Sequence, residues 1–424
     1  MNLRVGRYRW VICALLFAAT TINYMDRQVL GLLAPTLQKE LGWTEVDYGN
    51  IVSWFTIAYA MGLLGVGRLM DKIGVKKGFA GSIIVWSAAA VGHAFASTAQ
   101  GFSAARFMLG LGEAGNFPGS LKAVSEWFPV KERGFATGIF NAGSNVGAIL
   151  TPIIVPAIAL TWGWRAAFVI VGSLGFVWLI VWLLVYQAPE KNPRVSAQEL
   201  AYIRSDNEES SGERVSLMQM LGQRQLWAFA LGKLLTDPIW WFYLYWLPKF
   251  LDARFGIKLA GVALPIIVIY LVADVGSVGG GWLSGRLIKA GWTTNRARKI
   301  TMLIAALAIV PTMFAPTVST LWSAVAIVSV AAAAHQWWSA NLFTLATDMY
   351  PRRAVGTVIG FGGCFGALGG FFFQRATGWV LQNNGQNYTP VFLVCGLAYV
   401  TALIVIHLLV PRLTPARLGT GAAA

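Results

Sequence analysis

The chain has 424 residues, of which 56% are apolar and only 12% charged, about half the charged share of an average soluble domain. That composition excludes an ordinary soluble enzyme, because the apolar residues suffice for about twelve membrane-spanning helices of ~20 residues each and leave little for an extramembrane domain. The net charge is +15, from 33 Lys and Arg against 18 Asp and Glu, and the placement of the cations decides between a nucleic-acid footprint and a topological signal.

From the N-terminus, Arg4, Arg7 and Arg9 precede an apolar stretch from Val11 to Ile22 that imitates a signal peptide. Tyr24-Met25-Asp26-Arg27 follows in place of a small-x-small cleavage site, so the stretch reads as a retained first span. Apolar windows predict helices at 10–31, 48–69, 79–97, 100–124, 134–157 and 164–187, then at 226–248, 262–288, 299–317, 319–344, 354–380 and 390–411. An even number of windows puts both termini on one side. With that side cytoplasmic, 24 of the 33 Lys and Arg fall in inner segments and five (Lys39, Arg165, Lys249, Arg254, Lys258) in outer loops. The positive-inside rule then accounts for most of the charge excess, and no nucleic-acid partner is expected.

The longest polar stretch, 188–225, separates six windows from six and reads as a cytoplasmic linker. It contains Ser196-Ala-Gln-Glu199 ahead of Leu200, a capping box opening a short amphipathic helix. The expected domains are therefore 1–187, a linker at 188–225, and 226–424. Cys13, Cys364 and Cys395 sit in apolar runs without a CxxC partner, so neither a disulfide framework nor a metal site is expected.

The two halves repeat. Ser125-Glu-Trp-Phe-Pro129 corresponds to Thr347-Asp-Met-Tyr-Pro351 at an offset of 222, which also maps Gly134 onto Gly356, Gly138 onto Gly360 and Gly147 onto Gly369. A second echo sets Gly67-Arg-Leu-Met-Asp71 against Gly281-Trp-Leu-Ser-Gly285. Parallel six-helix halves around a central cavity are a transporter architecture.

With these residues in view, the chain resembles the major facilitator superfamily. Gly67-x-x-x-Asp71-Lys72-x-Gly74-x-Lys76-Lys77 is similar to that superfamily's loop signature between its second and third helices, while the second copy has Gly285 in place of the acid. The resemblance narrows to the anion:cation symporter branch and its bacterial hexuronate transporters. It is carried by Asn23-Tyr-Met-Asp-Arg27, Gly110-Leu-Gly-Glu-Ala-Gly-Asn-Phe-Pro118, Glu126-Trp-Phe-Pro129, Gly138-Ile-Phe-Asn-Ala-Gly143, Trp240-Trp-Phe-Tyr243 and His335-Gln-Trp-Trp-Ser-Ala-Asn341. It implies an all-α membrane fold of twelve transmembrane helices in two pseudo-symmetric bundles and proton-driven import of sugar acids such as glucuronate and galacturonate. It also implies a gating role for Gly67, Asp71, Lys72 and Arg133.

Ionisable groups at the centre of a spanning helix cost about 2.5–3.5 kcal/mol each on insertion scales, so those that persist usually carry function. Asp26 and Arg27 lie in the first window, and Arg106 and Glu113 share a helical face in the fourth, about 10 Å apart along the axis. A planar guanidinium binds a carboxylate bidentately, which makes Arg27 and Arg106 the candidates for anion capture. A buried carboxyl gains proton affinity by desolvation and loses it beside Arg, which makes Asp26 and Glu113 the candidate proton carriers. In related sugar-acid carriers the residues matching Asp26 and Glu113 are the coupling acids and the one matching Arg27 binds substrate. The bland alternative is that Asp26–Arg27 and Arg106–Glu113 only neutralise each other. Lys233 and Asp237 stand at i,i+4, although Pro238 threatens that geometry, and their role stays open between structure and substrate contact, as does that of Asp274. Arg375 is expected to snorkel outward.

A sugar acid also needs hydroxyl partners and a flat apolar face. Tyr24 and Tyr59 match substrate-lining tyrosines of the family. Asn141 and Asn145 are one turn apart, and His335, Trp338 and Ser339 share a face with Asn341 offset. His335 is as readily a satisfied core histidine as a ligand. The Gly-rich runs at 276–285 and 360–370 lie inside apolar windows and lack a nucleotide-binding context, so they read as close helix contacts.

These observations predict a proton-coupled symporter of a sugar-acid anion, most simply a hexuronate, in the bacterial inner membrane with both termini cytoplasmic. Its partners are the anion, a proton and the lipid bilayer; no cofactor or metal is expected, and a monomer is. The rival substrate is an aldonate, aldarate or other carboxylate; a membrane sensor or integral-membrane enzyme is the remote alternative, lacking a visible signalling domain, nucleophile–base pair or metal cluster.

Overall fold

The structure is a computed structural model that describes residues 6–205 and 217–416. Among the described residues it is helical without strands. In chain order the helices are α1 (Tyr8–Leu41), α2 (Glu45–Ile73), α3 (Val75–Gly92), α4 (Ala99–Glu113), α5 (Asn116–Trp127), α6 (Val130–Val185) and α7 (Ala197–Ile203). After the undescribed stretch come α8 (Leu217–Met220), α9 (Arg224–Phe255), α10 (Ala263–Lys289), α11 (Thr294–Ile309), α12 (Leu321–Met349), α13 (Arg352–Asn383) and α14 (Thr389–Leu409).

Every apolar window falls on helix. Seven helices are long and apolar enough to cross a membrane. One of them, α6, holds two windows, separated where Gly163 takes a positive φ of 82°, a conformation that favours glycine. The four windows outside this set are the first, fourth, seventh and tenth, on α1, α4–α5, α9 and α12. They fail the apolar test for a physical reason: they carry the ionisable and amide side chains, and they keep them inside protein. The fourth window is two helices, since α4 ends at Glu113 and α5 starts at Asn116.

The chain forms two compact units: 1–33 with 54–211, and 34–53 with 212–424. In the first, α3 packs on α6 and α4; in the second, α9 packs on α13 and α14, and α10 on α12. The internal repeat is written into the backbone. Pro129 (φ −63°, ψ 153°) precedes α6 as Pro351 (φ −64°, ψ 151°) precedes α13, each following an extended aromatic residue, Phe128 or Tyr350. Gly147 lies against the Thr21 carbonyl of α1, and its counterpart Gly369 against the Leu234 carbonyl of α9, leaving no room for a Cβ in either place. Pro238 has no N–H to give Leu234, so that carbonyl is free to meet α13.

The segment 34–53, from the end of α1 and the start of α2, is bound into the second unit by side chains. Tyr48 Oη donates to the Tyr245 carbonyl at 2.6 Å and Glu45 N–H to Gln382 Oε1 at 3.0 Å. Glu45 is ion-paired with Lys249, both buried. Arg375 is exposed; its Nε donates to Ser53 Oγ at 3.2 Å and the guanidinium lies over Phe371. Gly49 and Gly378 cross so closely that neither tolerates a side chain.

In the first unit the linker helix α7 starts as the sequence predicts, with Ser196 Oγ accepting from Glu199 N–H at 3.1 Å. Glu199 does not complete the capping box. Its buried carboxylate accepts from the backbone N–H and Nη1 of Arg9, which also pairs with Glu132 at 2.9 Å, tying α7 to α1 and α6.

Candidate functional site

The first unit gathers the ionisable residues of α1 and α4 into one buried cluster. Arg27, Arg106, Asp26 and Glu113 are 4%, 0%, 3% and 0% exposed. The pairing crosses between helices: Arg27 donates through Nε at 2.8 Å and approaches through Nη2 at 2.7 Å, both to Glu113 Oε2. Among the described residues the ion pair that forms is thus Arg27–Glu113, across helices, rather than one within a single helix. Arg106 instead donates from Nη2 to the Arg27 carbonyl at 3.1 Å, so the second guanidinium holds the backbone of the first. Both Asp26 oxygens are buried without a hydrogen-bond partner among the described residues.

Aromatic faces complete the arrangement. The Arg27 guanidinium stands 4.8 Å from the Tyr24 ring, 5.1 Å from Phe55 and 5.0 Å from Tyr59, and Arg106 stands 5.7 Å from Phe55. Phe55 and Tyr59 stack at 5.9 Å, one turn apart on α2. Desolvated cation–π contacts of this kind are worth up to about 2 kcal/mol each and fix the plane of the guanidinium. Asn23 Oδ1 accepts from Arg27 Nη2 at 3.2 Å. Phe55 and Asn23 escaped the sequence analysis; both sit four residues from a residue it singled out, Tyr59 and Arg27, and the i,i+4 rule is the signal that finds them.

The remaining candidates are more scattered. Asn141 and Asn145 share a face of α6, where Ser144 Oγ touches both, at the Asn141 carbonyl and Asn145 Oδ1; no bond among the described residues joins them to Arg27. In the second unit His335 is buried, bonded through Nδ1 to Tyr399 Oη and stacked on Trp240 at 5.0 Å and 10°, the environment of a satisfied core histidine. Trp338 is fully buried, edge-on to Tyr399, with its Nε1 unbonded. Ser339 is half-buried. Asn341 Nδ2 donates to the carbonyls of Gly280 and Trp337, tying α12 to α10, while its Oδ1 is unpaired.

Of the loop residues, Gly67 has open space where a Cβ would stand, Lys72 is exposed, and the side chain of Asp71 lies outside the described set. Arg133 closes the end of α5, donating to the carbonyls of Phe128 and Ser125. Lys233 and Asp237 pair at 2.7 Å, and α9 runs unbroken through Pro238, so the proline does not spoil the spacing. Their carbon and oxygen atoms fill the space over Gly362 and Gly366 of α13.

Helices α1, α2 and α4 of the first unit thus bring together two guanidinium and two carboxyl groups beside aromatic rings, on a chain whose two units carry the same turn and the same glycine contacts. A model of the Major Facilitator Superfamily matches residues 16–374. The chain belongs to the major facilitator superfamily. It is a multi-pass membrane transporter and not an enzyme. A hexuronate transporter of Escherichia coli (strain K12) is 30% identical over 95% of this chain and 94% of its own length. A galacturonate transporter of Dickeya chrysanthemi is 34% identical over 66% of this chain and 82% of its own. A probable galactarate/D-glucarate transporter of Bacillus subtilis is 29% identical over 95% and 92%. Among solved structures, the inward-open xylose transporter of E. coli superposes with a TM-score of 0.73 at 15% identity, covering 95% of this chain and 96% of its own, which speaks for the fold alone.

Proposed function

We propose that this transporter is a proton-coupled symporter that imports a sugar-acid anion, most simply a hexuronate, by alternating access across the bacterial inner membrane, with both termini cytoplasmic and the chain acting as a monomer. The observation that carries the proposal is the Arg27–Glu113 pair with Arg106 behind it and the unbonded Asp26 beside it. A carboxylate arriving at Arg27 competes with Glu113 for the same N–H donors. Once displaced, Glu113 is a buried anion without its partner, and taking up a proton relieves the desolvation penalty. Asp26 has no hydrogen bond to lose on protonation. Anion binding and proton binding therefore favour one another, which is what symport requires.

Arg106 holds the Arg27 backbone and adds positive potential; Tyr24, Phe55 and Tyr59 offer ring faces to the C–H side of a sugar. The placement of cations in the predicted inner segments supports the orientation, and the hexuronate and galacturonate relatives support the substrate class. The rival substrate, an aldonate or aldarate on the same machinery, is favoured by the galactarate/D-glucarate relative.

Proteoliposomes holding an inward proton gradient test the proposal with labelled glucuronate, galacturonate and galactonate. Gradient-dependent accumulation of the two uronates is expected. Preference for galactonate overturns the substrate, and accumulation without a gradient overturns the coupling. Asp26→Asn and Glu113→Gln should each abolish accumulation while at least one retains counterflow exchange.

A further inference from the structure

Around the junction of α10 and α11 the second unit carries charge of one sign only. From 275 to 347 the sequence has five Arg and Lys (Arg286, Lys289, Arg296, Arg298, Lys299) and no Asp or Glu. Two of the five are used by the fold: Arg298 pairs with Asp348 of α12 at 3.0 Å and donates to Ser284 Oγ at 2.8 Å, and Lys299 donates to the carbonyls of Val410 and Pro411 at 2.6 and 2.8 Å. Arg286 and Lys289 are exposed and meet no acid among the described residues; Arg286 lies 5.2 Å from the Trp282 ring. With Gly281, Trp282 and Gly285 these two cations line a cavity of about 450 Å3. All five lining residues belong to α10, where spacings of three and four put them on one side of the helix. The glycines open the notch, because nothing stands within 4 Å of the place a Cβ would take at either one. Cations in a last helical turn suit the helix dipole, which accounts for their sign but not for the cavity beside them.

Because α10 is long and apolar enough to cross a membrane, its basic end stands at one surface of the bilayer. Running back from that end, Trp282, Val275 and Leu271 are 60%, 72% and 50% exposed and recur at a spacing that keeps them on one face with Arg286. An apolar stripe leading into a cationic notch, with an indole at the rim, matches an amphiphile: an acyl chain along the stripe and an anion in the notch. A soluble anion would use the notch and leave the stripe idle.

We infer that the C-terminal end of α10 is a binding site for an anionic phospholipid, with Arg286 and Lys289 on the headgroup phosphate, Gly281 and Gly285 making room for it, and Trp282, Val275 and Leu271 against an acyl chain. Each cation contributes about a fivefold preference for an anionic headgroup over a neutral one. The site is independent of what the transporter carries.

Native mass spectrometry of the delipidated, detergent-solubilised protein tests this by titration with dioleoyl phosphatidylglycerol, dioleoyl phosphatidylcholine and soluble glycerol phosphate. Three proteins are compared: wild type, Arg286→Gln/Lys289→Gln, and Gly281→Leu/Gly285→Leu, which keeps both cations and fills the cavity. Wild type should bind the first phosphatidylglycerol at least tenfold more tightly than phosphatidylcholine. The Arg286→Gln/Lys289→Gln variant should bind phosphatidylglycerol at least tenfold more weakly than wild type, and the glycine variant at least threefold more weakly, with melting temperatures showing that both are folded. Wild type binding the two lipids within twofold of each other overturns the inference, as does a charge variant within twofold of wild type. A glycine variant that binds like wild type reduces the effect to surface charge and overturns the site. Glycerol phosphate that binds as tightly as phosphatidylglycerol overturns the assignment to lipid.

Discussion

Replacing Arg27 by Lys keeps the positive charge and removes the fork. In the protein the guanidinium uses Nε and Nη2 against Glu113 Oε2 at 2.8 and 2.7 Å and Nη2 against Asn23 at 3.2 Å, with three ring centroids within 5.1 Å. An ammonium is a point charge that cannot address a carboxylate through two parallel N–H groups. Losing one charged hydrogen bond to a substrate carboxylate costs about 1.5–3 kcal/mol, which at about 1.4 kcal/mol per tenfold corresponds to a roughly 10- to 150-fold weaker Kd. Isothermal titration of the detergent-solubilised protein with glucuronate measures this directly, and a thermal melt on the same sample establishes that the variant is folded. A folded Arg27→Lys protein that binds glucuronate within threefold of wild type refutes the assignment of Arg27 as the anion fork.

Other outcomes follow from the packing. Gly147→Leu and Gly369→Leu each force a side chain against a carbonyl of the neighbouring helix and should destabilise by about 1–3 kcal/mol, seen as a lowered melting temperature. Glu45→Gln leaves Lys249 buried without its counter-charge, and about 3–5 kcal/mol is the usual cost of halving a buried pair; Glu45→Gln/Lys249→Met should recover much of it in the same melt. Tyr399→Phe removes the hydroxyl bonded to His335 and should destabilise by about 1–3 kcal/mol. Because His335 behaves as a core histidine, glucuronate affinity in that variant should stay within threefold of wild type.

Much of this was legible in the sequence, and for identifiable reasons. Helix content and span positions depend on apolar runs, which is why every window lands on helix. The echo of Pro129 in Pro351 was read as an internal repeat, and the two prolines do adopt matching dihedrals, since proline dictates φ locally. What the sequence withheld was tertiary. Spacing along α4 puts Arg106 and Glu113 on one face but says nothing of which partner a neighbouring helix brings, and α1 brings Arg27 to Glu113. The split of the fourth window at 114–115 was hidden inside what reads as one span in the sequence. His335 read equally as ligand and as core until Trp240 and Tyr399, distant in sequence, were found on either side of it. The partner of Arg375 was equally hidden, because Ser53, the hydroxyl it donates to, lies more than three hundred residues away.

The binding of residues 34–53 into the second unit means that the chain cannot be divided cleanly at its linker. A fragment beginning after residue 211 would be born without the strap that covers Lys249, Tyr245 and Gly378. A fragment ending before it would carry that strap with nothing to lie upon. The sequence repeat divides the chain at its linker, whereas the packing hands residues 34–53 to the second unit.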